Sequence, residues 1–518
     1  MPQQGFSYQA NIQANLAKAQ LRLPAPFAKA VAEQGWLRLS SQGDENASEI
    51  QAHLDDKLHF HAKLAHDTQL FSHVQINAGA ADTGLGSAGF HINVALEHAD
   101  FIAWLTLLEQ QLAALPQSDG PALFPPLQKV QGKISRLIAA PGIELSNTVF
   151  ELSPQPEFWQ LQLNGTEIAS RWQLHKDWQN KGIVAELDYL HLPLTEDNTE
   201  TDSSTAGTPL TSQRWWLSLP PLQVRCADCA IGPYRLGQVR AQARSEADRW
   251  LLTEFEAAYK RSRLTLSGSW QQLEGAGRSA FTGRVQANNL GSLLQEYQLT
   301  SAISGSSAEM AFNLDWPGAP NQFELAQLGG DVSYKLGEGS LTEVSDQGAR
   351  LFSIFSLDSL LRKLRLDFRD VFAKGFFYNG MSGKLAIAKG IVQTSDATVD
   401  GVPGNLAIQG YADLVNREMD YQMAFSPKVT SSLPVIIAWM VNPATGLAAL
   451  ALDEVFQSAE VISKINFTVT GSFEQPVVTE VNRHSKEVPV PVRVAKPDAV
   501  SENPASEQKL LPENQPHG

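Results

Sequence analysis

Five histidines crowd one short region of the chain: His53, His59, His61, His66 and His73. His59 and His61 are two residues apart, so on a strand both imidazoles point to one side, an arrangement that suits a metal ion. No carboxylate or cysteine stands at ligand spacing beside them. Their face is opposite Leu58, Phe60 and Leu64, so they are expected on the wet face, solvated and without a metal. Cys226 and Cys229 are the only cysteines. One C-x-x-C cannot complete a four-ligand zinc site. A redox motif calls for a βαβ setting, and here the flanks read as strand and turn. A local disulfide or two idle thiols remain. Asp367 and Asp370 are close enough for paired carboxylates, but Arg365 and Arg369 beside them favour local ion pairs. "GLGSAG", residues 84 to 89, is glycine-rich without a βαβ unit around it and reads as a turn. No nucleophile and base announce themselves, so no enzyme, no cofactor and no metal are expected.

The elements around these residues are strands. Alternation of period two recurs from the start: Phe6, Tyr8, Ala10, Ile12 and Ala14 share one side, as do Leu58, Phe60, Ala62 and Leu64. The cleanest alternation follows residue 383, with Met419, Tyr421, Met423 and Phe425 on one side. One clear helix is expected near 99–115, with Phe101, Trp104, Leu105, Leu108 and Leu112 at helical spacing, Asp100 as its cap and Pro116 closing it. Another helix-like segment lies within 289 to 299.

Composition narrows the classes. The chain has 518 residues and a net charge of −15, which is unsuited to general nucleic-acid binding. Charged residues are 18%, below the roughly 25% usual for soluble domains, and polar uncharged residues make up the difference, as half-buried strands require. The start of the chain has neither a basic flank nor an apolar core, so it is not a signal peptide. Asn442-Pro443 and Gly446 interrupt the uncharged stretch 433–452, which reads as two short helical pieces.

The stretch "LFSIFSLDSLLRKLRLDFRDVFAKGFFYNGMSGKL", residues 351 to 385, sets aromatic and basic residues in a helix-like pattern between plain strands. Either it is a helix packed on the sheet, or a cap where arginines meet phospholipid headgroups. Its Leu366 to Phe376 run, L-x-F-R-D-x-F-x-x-G-F, resembles the C-terminal region of the YhdP family, within the AsmA-like superfamily. "MVNPATGLAAL", "TVTGSFEQPVVTEV" and "VRCADC" fit the same pattern. The resemblance is strong over about 215 to 485 and looser before. It implies a bridge-like phospholipid transporter of Gram-negative bacteria, anchored in the inner membrane, spanning the periplasm as a β-groove, with C-terminal helices working near the outer membrane. Family members are much longer and begin with a transmembrane helix, so this chain looks like the C-terminal portion of a full protein, lacking the anchor and a signal peptide.

The resulting expectation is a mainly β protein: an elongated, twisted antiparallel sheet forming an apolar groove, with a few covering helices. Residues 1–194 form a first groove segment, 195–213 a flexible acidic linker, and 214–484 the family-like region with helices near 351–374 and 433–464. Residues 485–518 form a disordered tail. The expected function is non-enzymatic phospholipid transport between inner and outer membranes, the alternative being a periplasmic scaffold or envelope-assembly factor without lipid. Leu385, Ile387, Leu406, Ile408, Met419, Tyr421, Met423, Phe425, Ile465, Phe467 and Val469 are the expected lipid contacts. On this reading Met423→Asp stalls transport while expression stays tolerable.

Overall fold

The structure is a computed structural model and describes residues 5–114, 122–140, 142–193, 219–273, 276–297, 303–341, 376–428 and 458–489. The first half contains β1 (Tyr8–Asn15), β2 (Trp36–Gly43), β3 (Ala47–Leu54), β4 (Leu58–Ala65), β5 (Leu70–Ala78), β6 (Gly89–Asp100), α1 (Phe101–Ala114), β7 (Leu127–Ala140), β8 (Ile143–Pro154), β9 (Phe158–Asn164), β10 (Ile168–His175), α2 (Trp178–Lys181) and β11 (Ile183–Leu192). Then come β12 (Leu222–Ile231), β13 (Tyr234–Glu246), β14 (Arg249–Tyr259), β15 (Ser262–Leu273), β16 (Ala276–Ala287), α3 (Leu290–Glu296), β17 (Ile303–Gly305), β18 (Ala308–Pro317), β19 (Gly329–Leu336) and β20 (Gly339–Leu341). The last are β21 (Phe376–Ala388), β22 (Ile391–Gly401), β23 (Gly404–Asp413), β24 (Glu418–Pro427), β25 (Ser458–Ser472) and β26 (Pro476–Pro489).

All twenty-six strands among the described residues belong to one long, twisted, open sheet. Most neighbours in sequence are neighbours in the sheet, because short turns favour antiparallel hairpins. The pairing is mostly antiparallel, as expected, with three parallel steps. β5–β6, β6–β7 and β11–β12 run parallel. Parallel neighbours need a connection long enough to return the chain to the starting edge. At β6–β7 that connection includes α1, and at β5–β6 it is the stretch 79–88 holding the glycine-rich sequence. No helix follows those glycines, so they form a crossover loop and not a nucleotide cradle.

α1 begins where expected. The Asp100 Oδ1 accepts a hydrogen bond from the Ala103 amide at 2.9 Å, satisfying an otherwise orphaned donor of the first turn. α3 is capped likewise, the Asn289 side chain accepting from the Ser292 amide at 2.9 Å. No helix among the described residues is long and apolar enough to cross a membrane. The linker 195–213 and the expected helix 351–374 lie outside the described residues, as do 433–457 of the apolar helical pair and 490–518 of the tail. Residues 458–464 open β25 and 485–489 close β26, so both stretches are strand where helix and disorder were expected.

Buried apolar side chains gather in three clusters along the sheet. The largest joins β21 to β25 with Leu290 and Leu294 of α3 and Leu341 of β20. A middle cluster holds Leu187, Val239 and Ala257 together with Cys226 and Cys229. A smaller one forms where Phe27, from the β1–β2 connection, meets Leu96 and Ile134, with Trp104 of α1 edge-on to Phe27 at 5.8 Å between ring centres.

Two aromatics lie across glycines on neighbouring strands. A Cβ on Gly283 would stand 2.4 Å from Phe312 Cζ, and one on Gly268 would stand 2.4 Å from Phe281 Cδ1. The rings fill the space those glycines leave and lie low on the sheet. Gly283→Val should therefore lift Phe312 and lower the thermal midpoint by several degrees, while Gly84→Val, with nothing within 4 Å of the added Cβ but a positive φ of 70°, should act only through backbone strain. An unchanged midpoint for Gly283→Val would contradict the ring placement. Burial pushes the Tyr334 phenol up to about 12, with Asp396 adding to the shift. Tyr421 moves further in the same direction, by burial first and Tyr334 second. Unfolded tyrosine ionises near 10, so stability held below that pH is lost as pH rises from roughly 10 towards 12. Denaturant melts across that window should show the loss, and Tyr334→Phe should flatten it; equal slopes for both proteins would refute the assignment.

Candidate functional site

Side chains on register partners of neighbouring strands point the same way. Following partners across the sheet therefore follows one face. A single row runs Ile12, Leu39, Ala52, Phe60, Ile76, Ile92, Val130, Leu152, Leu161 and Trp172 from β1 to β10. It continues through Ala185, Val224, Ala241, Phe255, Leu266, Gly283, Phe312, Val332 and Leu385, ending on β21. Nineteen strands contribute, and none places a polar side chain in this row. At about 4.8 Å between strands the row extends over roughly 85 Å.

The adjacent row, one residue along each strand, faces the other way. From β1 to β10 it reads Gln13, Arg38, His53, His59, Asn77, Asn93, Gln131, Glu151, Gln162 and Arg171. From β11 to β16 it reads Glu186, Arg225, Arg240, Glu256, Thr265 and Arg284. The alternation of each strand is thus kept in phase by its neighbours. Parallel steps do not disturb it, and register shifts between β12 and β15 fall clear of this row. The sheet has one oily side and one wet side over most of its length.

The oily side is not equally covered throughout. Phe60, Ile76, Ile92, Trp172, Phe255, Phe312, Val332 and Leu385 are half-buried, and Ile12 is 60% exposed. Towards β22–β25 the face closes. Leu406, Phe425 and Ile465 are register partners, as are Ile408, Met423 and Phe467, and Tyr421 and Val469. These eight and Met419 share one face, as alternation implied, and all are 4% exposed or less. Leu385 and Ile387 of β21 remain half-buried. Nine of the eleven residues expected to touch lipid are thus core in this structure. Met423 is 1% exposed, so Met423→Asp would bury a charge and unfold this end before it could report on transport.

Cys226 and Cys229 form a disulfide across an irregularity in the β12–β13 register. Both sulfurs belong to the oily side, 4% and 6% exposed. Both cysteines lie within β12, and neither stands at the N-terminus of a described helix that could activate its thiol.

The histidines take the wet side, as expected, but not all are solvated. Loop 79–88 folds over this side and leaves His61, Gln75 and Asn77 buried, at 6%, 5% and 1% exposure. Asn77 Oδ1 accepts from Gln75, Asn93 and Thr83. The loop also brings Asp82, whose Oδ2 stands 3.0 Å from His61 Nε2. Asp82 stands at no ligand spacing in the sequence, because only the crossover brings it to β3 and β4.

A family profile described as YhdP protein matches residues 1–478. The chain is 25% identical over 488 residues to the intermembrane phospholipid transporter YhdP of Escherichia coli (strain K12), an alignment covering 93% of this chain and 38% of that protein. The chain therefore spans well under half the length of that relative. No solved structure matches it. With the match extending through both halves of the sheet, and not only the C-terminal motifs, the chain belongs to the YhdP family.

Proposed function

We propose that this chain guides phospholipid between membranes, holding acyl tails against the oily row and leaving headgroups to water. The observation that carries the reading is the unbroken apolar row from Ile12 to Leu385 beside an equally consistent polar row. Burying a methylene is worth roughly 0.8 kcal/mol, so a 16-carbon tail needs on the order of 12 kcal/mol of shelter from water. A row that offers similar shelter at every strand lets a tail move by small steps without ever being fully exposed. No nucleophile, base or cofactor has a part in this, and none is assigned.

Leu385 and Ile387 are assigned to the tail path, with the half-buried aromatics Phe60, Trp172, Phe255 and Phe312 as its main contacts upstream. The nine buried residues from Leu406 to Val469 are assigned to the floor of a closed end. A scaffold without lipid is the competing reading, and that sealed core is the feature it accounts for equally well. The bridging of inner and outer membranes is assigned, as part of this proposal, to the longer protein that the chain matches in part. An envelope location outside the cytoplasm suits the Cys226–Cys229 disulfide, since such bonds persist in oxidising compartments.

Native mass spectrometry of the gently purified chain should show bound phospholipid. Phe255→Glu with Phe312→Glu should lower it about tenfold or more with circular dichroism unchanged, since both sites are only half-buried and each added carboxylate can reach water. Undiminished lipid in the folded double variant would refute the tail path, and absence of lipid from the native chain would favour the scaffold. In cells, Cys226 and Cys229 should resist alkylation until a reductant is added. Ready labelling of both without reductant would place the chain in a reducing compartment and contradict the envelope location.

A further inference from the structure

The geometry points to a site for a divalent transition-metal ion of the zinc type on the wet side of the sheet, with His53, His59 and Asp82 as ligands and His61 as the residue that positions Asp82. His53 and His59 are register partners on β3 and β4. Their Nδ1 atoms are 2.7 Å apart, and one donor atom from each of His53, His59 and Asp82 lies within 4.8 Å of the others. Two imidazoles and one carboxylate match zinc and its neighbours and disfavour calcium or magnesium, which take all-oxygen shells. Three protein ligands leave a further position to water, as in open zinc sites.

The surroundings are built as well as the ligands. Asp82 Oδ1 accepts from the Gly84 amide at 2.9 Å, which fixes the carboxylate within the loop. Its Oδ2 faces His61 Nε2 at 3.0 Å. The His61 side chain is 7% exposed, and its Nε2 makes no hydrogen bond of good geometry. Ligating carboxylates are themselves held by outer polar partners, and a buried imidazole aimed at Asp82 is placed for that part.

A bound ion would tie β3 and β4 to loop 79–88, the crossover where antiparallel pairing first gives way to parallel. It would brace that joint from the wet side and leave the oily row untouched. The competing account is a simple histidine–histidine hydrogen bond with no ion.

The test is zinc titration of the full chain after chelator treatment, by calorimetry and by metal analysis after dialysis. One zinc per chain is expected, with a dissociation constant in the micromolar range or below. His53→Ala, His59→Ala and Asp82→Asn should each weaken it at least about 30-fold, and His61→Ala about tenfold or more. His91→Ala and His175→Ala, outside the cluster, should leave it unchanged. Cobalt in place of zinc should give visible absorption that His59→Ala abolishes, and zinc should slow proteolysis within 79–88 in the wild-type chain only. If His59→Ala does not fold, Asp82→Asn in the exposed loop decides. Zinc binding that survives all three ligand substitutions, or no stoichiometric binding by the native chain, would overturn the site.

Discussion

Everything in this protein depends on the phase relation between neighbouring strands. A strand by itself can present an oily and a wet side, but a slip of one residue against its neighbour would exchange them. Here cross-strand pairing holds the phase over nineteen strands, through hairpins, parallel steps and register shifts. The low content of charged residues and the abundance of Gln, Asn, Ser and Thr follow from this arrangement, because half of every strand must face water without burdening the sheet with charge. Where charge does appear on the wet side, both signs are interspersed, as in Arg171, Glu186 and Arg225.

An open sheet with one oily side would ordinarily aggregate or recruit a second layer. Among the described residues the protein covers that side only in part, with α1 and Phe27 near one end and α3 with β20 near the other. Between them Trp172, Val224 and Phe255 stay half-buried beside the small cluster at Cys226 and Cys229. This incomplete covering is what distinguishes a path from a core. On the proposed reading, repetition of one strand pattern supplies the long surface of nearly uniform affinity that moving a lipid tail needs.

Much of this was legible from alternation. The β class, the helix capped by Asp100, and the common face of Met419, Tyr421, Met423 and Phe425 all follow from local spacing, which is a property of a few consecutive residues. What depended on long-range placement was not. Alternation says which residues share a side, but not whether that side is open, so the burial of Met423 and Ile465 could not be read from it. The parallel pairs were missed because a crossover and a hairpin connection can look alike in composition. Asp82 was missed because nothing near it in sequence announces a ligand, and the cysteine pair stayed open until both sulfurs were placed on one bulged strand.

The most direct measurement is photo-crosslinking in living cells, with a photoreactive phenylalanine analogue placed at Phe60, Trp172, Phe255 and Phe312 on the oily row and at Gln162, Arg171 and Glu256 on the wet one. Phospholipid adducts at all four oily positions and at none of the wet positions are the predicted result. Adducts spread equally over both sides, or absent from the oily one, would contradict the claim that this face carries lipid.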